Sequence, residues 1–235
     1  MVPWVRKVRG VRTVRTLFLV FFAIGVAGTA PASAQSPERL PWFAVDLHAA
    51  TVGLPQAEGW VPVVPADTVL PGRNWGVGAG ATVYPFRVGI FTFGIGASLV
   101  TAKASSESLT VITGSGPSAI TRATPIVRTG ITSLSPQLSI NFGRRLGWSY
   151  LSAGLGRSKI TSRSDAIGTT PGVAVPEAWN DAINFGGGAR WFMKPRLGAG
   201  FDVRFVKLGS RSASAALPSA KRTQLWNISA GISIQ

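Results

Sequence analysis

The chain has 235 residues, with 24 Lys and Arg against 9 Asp and Glu, one His and no Cys. An apolar fraction of 46% excludes an intrinsically disordered chain, and the lack of Cys excludes disulfide scaffolds, thiolate metal sites and thiol nucleophiles. The formal net charge of +15 fits either nucleic acid or an anionic membrane surface, so the positions of the charges have to decide between them.

The first 34 residues have the three parts of a secretory signal peptide. A basic segment without acids precedes the uncharged apolar run Leu17–Gly28, and the small residues Ala32-Ser33-Ala34 precede Gln35. The apolar run is shorter than the ~20 residues of a membrane-spanning helix. We therefore predict a signal peptide at 1–34, cleavage between Ala34 and Gln35, and an exported mature chain that does not bind nucleic acid.

Residues 35–235 form one predicted domain, in which apolar residues alternate with small or polar residues in eight segments. This period-2 pattern indicates strands with two different faces, one apolar and one composed mostly of Gly, Ser and Asn. Pro136 lacks an amide hydrogen, so the fourth strand is expected to fray or bulge there. The predicted strands are 42–49, 75–84, 91–99, 134–142, 150–156, 183–191, 197–205 and 226–234.

Short and long connections alternate along these eight strands. A soluble sandwich shares the alternation of faces, but strict alternation of connection lengths favours a transmembrane barrel with short periplasmic turns and long extracellular loops. The short connections lie near residues 85–87, 144–146 and 194–196, and the long loops near 54–74, 103–132, 157–178 and 208–223.

Aromatic residues cluster near both ends of the predicted strands. Aromatic bands at opposite ends of apolar strands are typical of the two membrane interfaces. We predict girdles formed by Trp75, Trp179 and Trp226 at the long-loop end and by Phe86, Phe91, Phe142, Trp148 and Trp191 at the short-turn end.

In these features, residues 40–235 resemble the small eight-stranded outer-membrane β-barrel proteins. The resemblance implies an all-β fold, an eight-stranded antiparallel up-and-down transmembrane barrel that follows a cleaved signal peptide. It also implies a location in the cell outer membrane, contact with its lipids and lipopolysaccharide, assembly by the barrel-insertion machinery, and a monomer. Members of the family usually end in an aromatic residue, whereas this chain ends in Gln235.

Charged residues are few on the inward face of the predicted barrel. Isolated charges in a narrow lumen would be costly, so they are expected to pair. A short turn at 194–196 would place Arg190 opposite Gly200 and diagonal to Asp202, within reach of an ion pair. We predict a polar network that plugs the lumen, with a narrow ion path or switchable gate as the less favoured interpretation. Its members would be Asp46, His48, Gln137, Asn141, Arg190, Asp202 and Arg204.

The sequence indicates no catalytic, metal or cofactor site. His48 is the single His and lacks the nearby Ser of a lipid A deacylase, and the glycine runs lack the Lys-Ser/Thr ending of a phosphate loop. The favoured function is a non-catalytic integral outer-membrane protein with a structural or surface-interaction role through its long loops. A small pore or hydrophobic-ligand conduit is the alternative, and a lipid A-modifying enzyme is less favoured.

The basic residues concentrate at the two predicted ends of the barrel. We expect them to face anionic headgroups on the periplasmic side and lipopolysaccharide phosphates outside, which accounts for the charge without nucleic acid. The short turns hold Arg87, Arg144, Arg145, Lys194 and Arg196, and the fourth long loop region holds Lys207, Arg211, Lys221 and Arg222.

Overall fold

A computed structural model describes residues 40–55, 59–113, 120–213 and 218–235. The predicted signal peptide at 1–34 and its cleavage site at Ala34 and Gln35 lie outside the described residues. In the part of the chain that is described, no helix has the length and apolar character needed to cross a bilayer.

The described residues form ten β-strands, of which eight close into an antiparallel barrel in the order β1-β10-β9-β8-β7-β6-β3-β2. The two remaining strands, β4 and β5, pair as a separate hairpin. Because β1 pairs with β10, the barrel has no open edge, as a sheet in lipid requires. The predicted all-β, eight-stranded antiparallel barrel is therefore confirmed. The strands are β1 (Phe43–Gly53), β2 (Arg73–Val88), β3 (Phe91–Ser105), β4 (Thr110–Thr113), β5 (Ile120–Ala123), β6 (Val127–Arg144), β7 (Gly147–Ser164), β8 (Ala174–Phe192), β9 (Leu197–Leu208) and β10 (Thr223–Ile234).

Four neighbouring strands, β3, β6, β7 and β8, extend further towards the long-loop end than the alternation predicted. Residues 103–105, 127–132, 157–164 and 174–178 are strand, although the sequence interpretation assigned them to loops. Their backbones pair with one another, for example Ser105 with Arg128 and Val127 with Ser164. Pairing satisfies backbone groups whatever the side chains are, so strands can continue where the apolar alternation stops.

Pro136 lies inside strand β6 and interrupts its ladder with β7 without a bulge. It is paired with Ala97 of β3, but no residues are paired with β7 between Leu134 and Leu138, and the register is the same on both sides of this gap. The expected bulge is therefore wrong, whereas pairing is lost locally because proline has no amide hydrogen to donate. Register shifts occur between Val83 and Phe86 of β2, around Pro85, and in β8 near Pro176.

The outside of the barrel carries exposed apolar side chains on all eight strands. Such a continuous surface would be unfavourable in water, and it matches the lipid-facing band of a transmembrane barrel. The barrel is thus of the transmembrane type that the sequence predicted. Examples from the eight strands are Leu47, Val77, Ile95, Leu138, Leu155, Ile183, Phe201 and Ile232.

The inside of the barrel is filled in two different ways. Near the short turns the inward side chains are charged, polar and aromatic, and we call this part the charged half. Near the long loops they form a buried apolar cluster, which we call the apolar half. The sequence analysis predicted a small and polar inward face throughout, so the apolar half is new. It contains Val52, Val100, Ile131, Ile160, Val206, Leu208 and Leu225, covered by Trp60 and Ala220 from two loops.

Candidate functional site in the barrel lumen

The charged half is organised around a two-pronged ion pair between Arg190 of β8 and Asp46 of β1. Arg190 Nε donates to Asp46 Oδ1 at 2.8 Å, and Nη2 donates to Oδ2 at 2.6 Å. Ser233 Oγ donates a further hydrogen bond of 2.7 Å to Asp46 Oδ1. Both charged side chains are largely withdrawn from solvent, at 4% and 16% exposure. A bidentate pair of this kind fixes both side chains in one geometry.

Arg190 faces Gly200 across the β8–β9 ladder, as the turn length predicted, but it does not pair with Asp202. Asp202 already accepts hydrogen bonds from Tyr150 Oη at 2.5 Å and from Arg204 Nη2 at 3.0 Å. The expected Arg190–Asp202 pair is therefore wrong. The long Arg190 side chain reaches a carboxylate on another part of the ring instead of its diagonal neighbour.

A second ion pair, between Arg204 and Asp202, continues the network towards β6. Arg204 Nε lies 2.6 Å from Asp202 Oδ1. Arg204 Nη1 donates to Gln137 Oε1 and, at 3.1 Å, to Asn184 Oδ1. The guanidinium of Arg204 therefore has acceptors on β6, β8 and β9, so it ties three strands together through the lumen.

Tyr150 connects the two ion pairs. Its hydroxyl binds Asp202, and its ring lies under the guanidinium of Arg190, 4.3 Å from ring centroid to Cζ. An arginine over an aromatic face is attracted by the ring quadrupole, more strongly when water is excluded. The sequence analysis did not include Tyr150 in the network, although the alternation of β7 places it on the inward face.

Two residues of the predicted network stand apart from these ion pairs. His48 points inward and lines the same cavity, but within the described residues it forms no hydrogen bond to the network. Asn141 donates to Thr92 O at 3.0 Å and to Ser139 Oγ at 2.9 Å. Tyr84, Asn184 and Ser233 also belong to the network but were not predicted, because alternation gives the face of a side chain and not its contacts across the lumen.

Aromatic side chains pack against one another inside the lumen at the short-turn end. Trp148 is 2% exposed, stacks on Phe192 at 5.0 Å between centroids and meets the edge of Tyr84 at 6.1 Å. The prediction of Trp148 as a girdle residue is therefore wrong, because its side chain lies inside the barrel. Trp148 shares the parity of Tyr150 on β7, and parity, not nearness to a strand end, decides the side of the sheet. We call Tyr84, Trp148, Tyr150 and Phe192 the aromatic plug.

The other predicted girdle residues are on the outer surface. Trp226 is partly covered by the guanidinium of Arg73, 5.4 Å from the ring centroid, and the remaining rings are exposed to a third or more. Trp191 packs on its outward neighbour Phe201 at 5.7 Å. The outward-facing set is Trp75, Phe86, Phe91, Phe142, Trp179, Trp191 and Trp226.

At the long-loop end, Trp60 covers the apolar half. Trp60 is 1% exposed, and its Nε1 donates to Lys221 O at 2.8 Å. Arg211 lies over the Trp60 ring at 5.1 Å and donates from Nη2 to Gly59 O at 3.1 Å. We call Trp60, Arg211, Ala220 and Lys221 the cap. Partial burial lowers the pKa of Arg211.

The spaces left between these groups are small. One cavity of about 30 Å³ lies among Asp46, His48, Arg190 and Arg204, and another of about 20 Å³ lies between Arg204 and Leu225. Each has room for about one water molecule. In the described part of the chain, no three His, Asp or Glu side chains are grouped to hold a metal ion.

The chain is similar to solved structures of small outer-membrane β-barrels. Neisserial surface protein A is 14% identical over 83% of this chain and 97% of its own, with a TM-score of 0.47. The attachment invasion locus protein Ail of Yersinia pestis is 12% identical over 81% and 97%, with a TM-score of 0.41. OprG of Pseudomonas aeruginosa is 13% identical over 84% and 96%, with a TM-score of 0.41.

No protein-family model and no curated protein sequence matches the chain. Of the three solved structures, OprG is an outer membrane protein by name.

Proposed function

We propose that the protein is a non-catalytic integral outer-membrane barrel whose lumen is filled by side chains and whose long loops contact its surroundings. The observation that carries this proposal is the closure of the lumen at both ends, by the aromatic plug and by the cap, with paired charges between them. An interior filled in this way supports a structural or surface role better than transport, because the two cavities between the charged groups and Leu225 are each about the size of one water molecule.

Conductance across a planar bilayer tests the filled lumen. We expect refolded wild-type protein to give no stable single-channel steps. A variant with both Trp60→Ala and Trp148→Ala loses a ring from each closure and should conduct more than the wild type. Stable steps from the wild type would contradict the proposal and favour a small pore lined by the charged half.

A catalytic role is tested separately through lipid A. The single His, His48, makes no hydrogen bond within the described residues that would activate a nucleophile, so the proposal includes no reaction. Expression of wild type and of His48→Ala should leave the mass spectrum of lipid A unchanged. A mass change with wild type that disappears in His48→Ala would establish an enzyme.

The surface role is supported by the β4–β5 hairpin and the first long loop, which lie outside the barrel strands. The β4–β5 hairpin projects between β3 and β6 with Leu109 and Ile112 exposed, and Arg122 of the hairpin bonds Asp67 of the first long loop at 3.2 Å. The proposal further includes export through the signal peptide, assembly by the barrel-insertion machinery, a monomer in contact with outer-membrane lipids and lipopolysaccharide, and no nucleic-acid partner.

A further inference from the structure

The outer wall of β3, β6 and β7 carries a polar patch at the long-loop end. The register aligns Lys103 with Gly130 and Gly130 with Thr161 in one row across the three strands. The next row towards the short turns contains Thr101 and Thr132, whose hydroxyl oxygens lie 3.5 Å apart. Outward-facing hydroxyl groups are unfavourable against hydrocarbon, so this part of the wall is suited to another environment. We call Lys103, Thr101, Gly130, Thr132, Thr161 and Arg163 the threonine patch.

Gly130 forms a notch in the centre of the patch. A Cβ atom at this position would lie 2.7 Å from Thr161 Oγ1 and 3.7 Å from Lys103 Cγ. The missing side chain thus lets the hydroxyl of one neighbouring strand and the lysine stem of the other approach above β6. Gly130 is itself buried beneath these neighbours, so the notch brings the Thr161 hydroxyl and the Lys103 stem side by side on the outer wall.

The charges around the notch are unequally compensated. Arg128 is paired with Asp165 at 2.6 Å, and Lys159 with Glu177 at 2.7 Å. Within the described residues, no carboxylate pairs with Lys103 or Arg163. Arg163 stands directly opposite Arg128 across the β6–β7 ladder, and like charges in this position repel. An anion at the patch would offset that repulsion.

Outward-facing bases elsewhere at this end of the barrel have other contacts. The Arg73 guanidinium lies over the Trp226 ring, and the Lys207 ammonium lies 5.6 Å from the Phe185 ring centroid. These two bases pack on aromatic rings, and Gly53 stands directly opposite Arg73, so a neighbouring glycine is common to both places. They are the matched control for the two uncompensated bases of the threonine patch.

The position of the threonine patch along the membrane normal indicates which ligand it can bind. Lys103 is directly opposite Trp75, and Lys159 is directly opposite Trp179, in the β2–β3 and β7–β8 ladders. Exposed tryptophans mark the level of lipid headgroups, so the patch lies where phosphates meet the barrel. We infer that the threonine patch binds the phosphate group of an anionic lipid, with Lys103 and Arg163 as cationic contacts and the three threonines as hydroxyl donors. This inference rests on the membrane location proposed above.

Native mass spectrometry of the refolded barrel in mild detergent tests the site. The probes are bisphosphorylated lipid A, phosphatidylglycerol, fully dephosphorylated lipid A and inorganic phosphate. The double variant K103Q/R163Q should bind the phosphorylated lipids about tenfold more weakly, since two charge-assisted contacts are lost. The variant R73Q/K207Q removes the same charge and should bind as the wild type does. Gly130→Leu fills the notch without a charge change and should also weaken binding.

The outcomes separate the possible sources of the phosphate. Tighter binding of lipid A than of phosphatidylglycerol assigns the site to lipopolysaccharide, and equal binding assigns it to lipid phosphates in general; both support the inference. Equal loss in the two double variants, equal binding of dephosphorylated lipid A, or displacement of lipid by an equal concentration of inorganic phosphate would overturn it. Heat-modifiable migration on a gel verifies that each variant is folded. If the threonine patch does not bind lipid phosphate, the filled-lumen proposal is unaffected, because it is tested separately by conductance.

Discussion

The two halves of the lumen hold the same barrel together by different kinds of interaction. The charged half depends on directional contacts, in which Arg190 and Arg204 each find a carboxylate and further acceptors on other strands. The apolar half depends mainly on packing of aliphatic side chains under Trp60, with isolated neutral hydrogen bonds such as that from Thr129 Oγ1 to Asn74 Oδ1 at 3.2 Å beside them. The comparison teaches that loss of one partner in the charged half leaves a buried charge behind, whereas loss of one side chain in the apolar half leaves a space that a loop can partly refill.

The largest effect is expected where a charge is left without a partner. Asp46→Asn keeps the size of the side chain but leaves the Arg190 guanidinium uncompensated, so the free energy of unfolding should fall by about 4 kcal/mol. Urea-dependent unfolding in lipid vesicles measures this change. The control Asp181→Asn breaks the exposed pair with Arg157 and should cost less than about 1 kcal/mol.

A second variant separates the lost pair from the unpaired charge. Replacement of both Asp46 and Arg190 by Leu removes the pair without leaving a charge, so it should destabilise less than Asp46→Asn alone. If the double replacement lowers the free energy of unfolding more than Asp46→Asn does, then the attraction within the ion pair contributes more to stability than the penalty of an unpaired buried charge.

In the apolar half, removal of the cap ring should have a smaller effect. Trp60→Ala should lower the free energy of unfolding by about 3 kcal/mol, at the low end for a buried tryptophan because the loops can relax into the space. Hydrogen exchange near residues 59–60 and 218–222 should increase at the same time. Val63→Ala, at an exposed position in the same loop, is the control. An equal effect of both variants would mean that Trp60 does not close the lumen.

The smallest effect concerns the hydroxyl that links the two ion pairs. Tyr150→Phe removes the hydrogen bond to Asp202 and should cost about 1.5 kcal/mol in the same unfolding measurement. Tyr84→Phe removes the long contact of 3.4 Å with Arg190 Nη1 and should cost less than about 0.5 kcal/mol. A larger loss of unfolding free energy for Tyr84→Phe than for Tyr150→Phe would mean that the contacts around Asp46 stabilise the charged half more than those around Asp202.

The alternation of apolar and polar residues was sufficient to predict the barrel and the face of most side chains. It was also sufficient to place Arg190 opposite Gly200, because register follows from turn length. Trp148 lies inside the barrel and not in a girdle, because its parity with Tyr150, and not its nearness to a strand end, decides its face. The strand extensions at 127–132 and 157–164 were missed because their outward residues are polar.

The partner of Arg190 could not be predicted in the same way. A ladder relates only neighbouring strands, whereas Asp46 lies three strands away around the ring from Arg190. Contact between them depends on the diameter of the closed barrel and on which carboxylates other side chains already occupy. Neither quantity is encoded in the local pattern.

The sequence by itself determined that this chain forms eight alternating strands with short turns at one end and long loops at the other, because side-chain direction along a strand has a period of two. Only the tertiary structure decided how the lumen is filled. Curvature of the sheet lets Tyr150 reach Asp202 across Gly188, which lies between them in one row. Asp46 and Arg190, on strands three apart around the ring, and Trp60 over the apolar half are likewise brought together by the tertiary structure, since these contacts join residues that are distant in sequence.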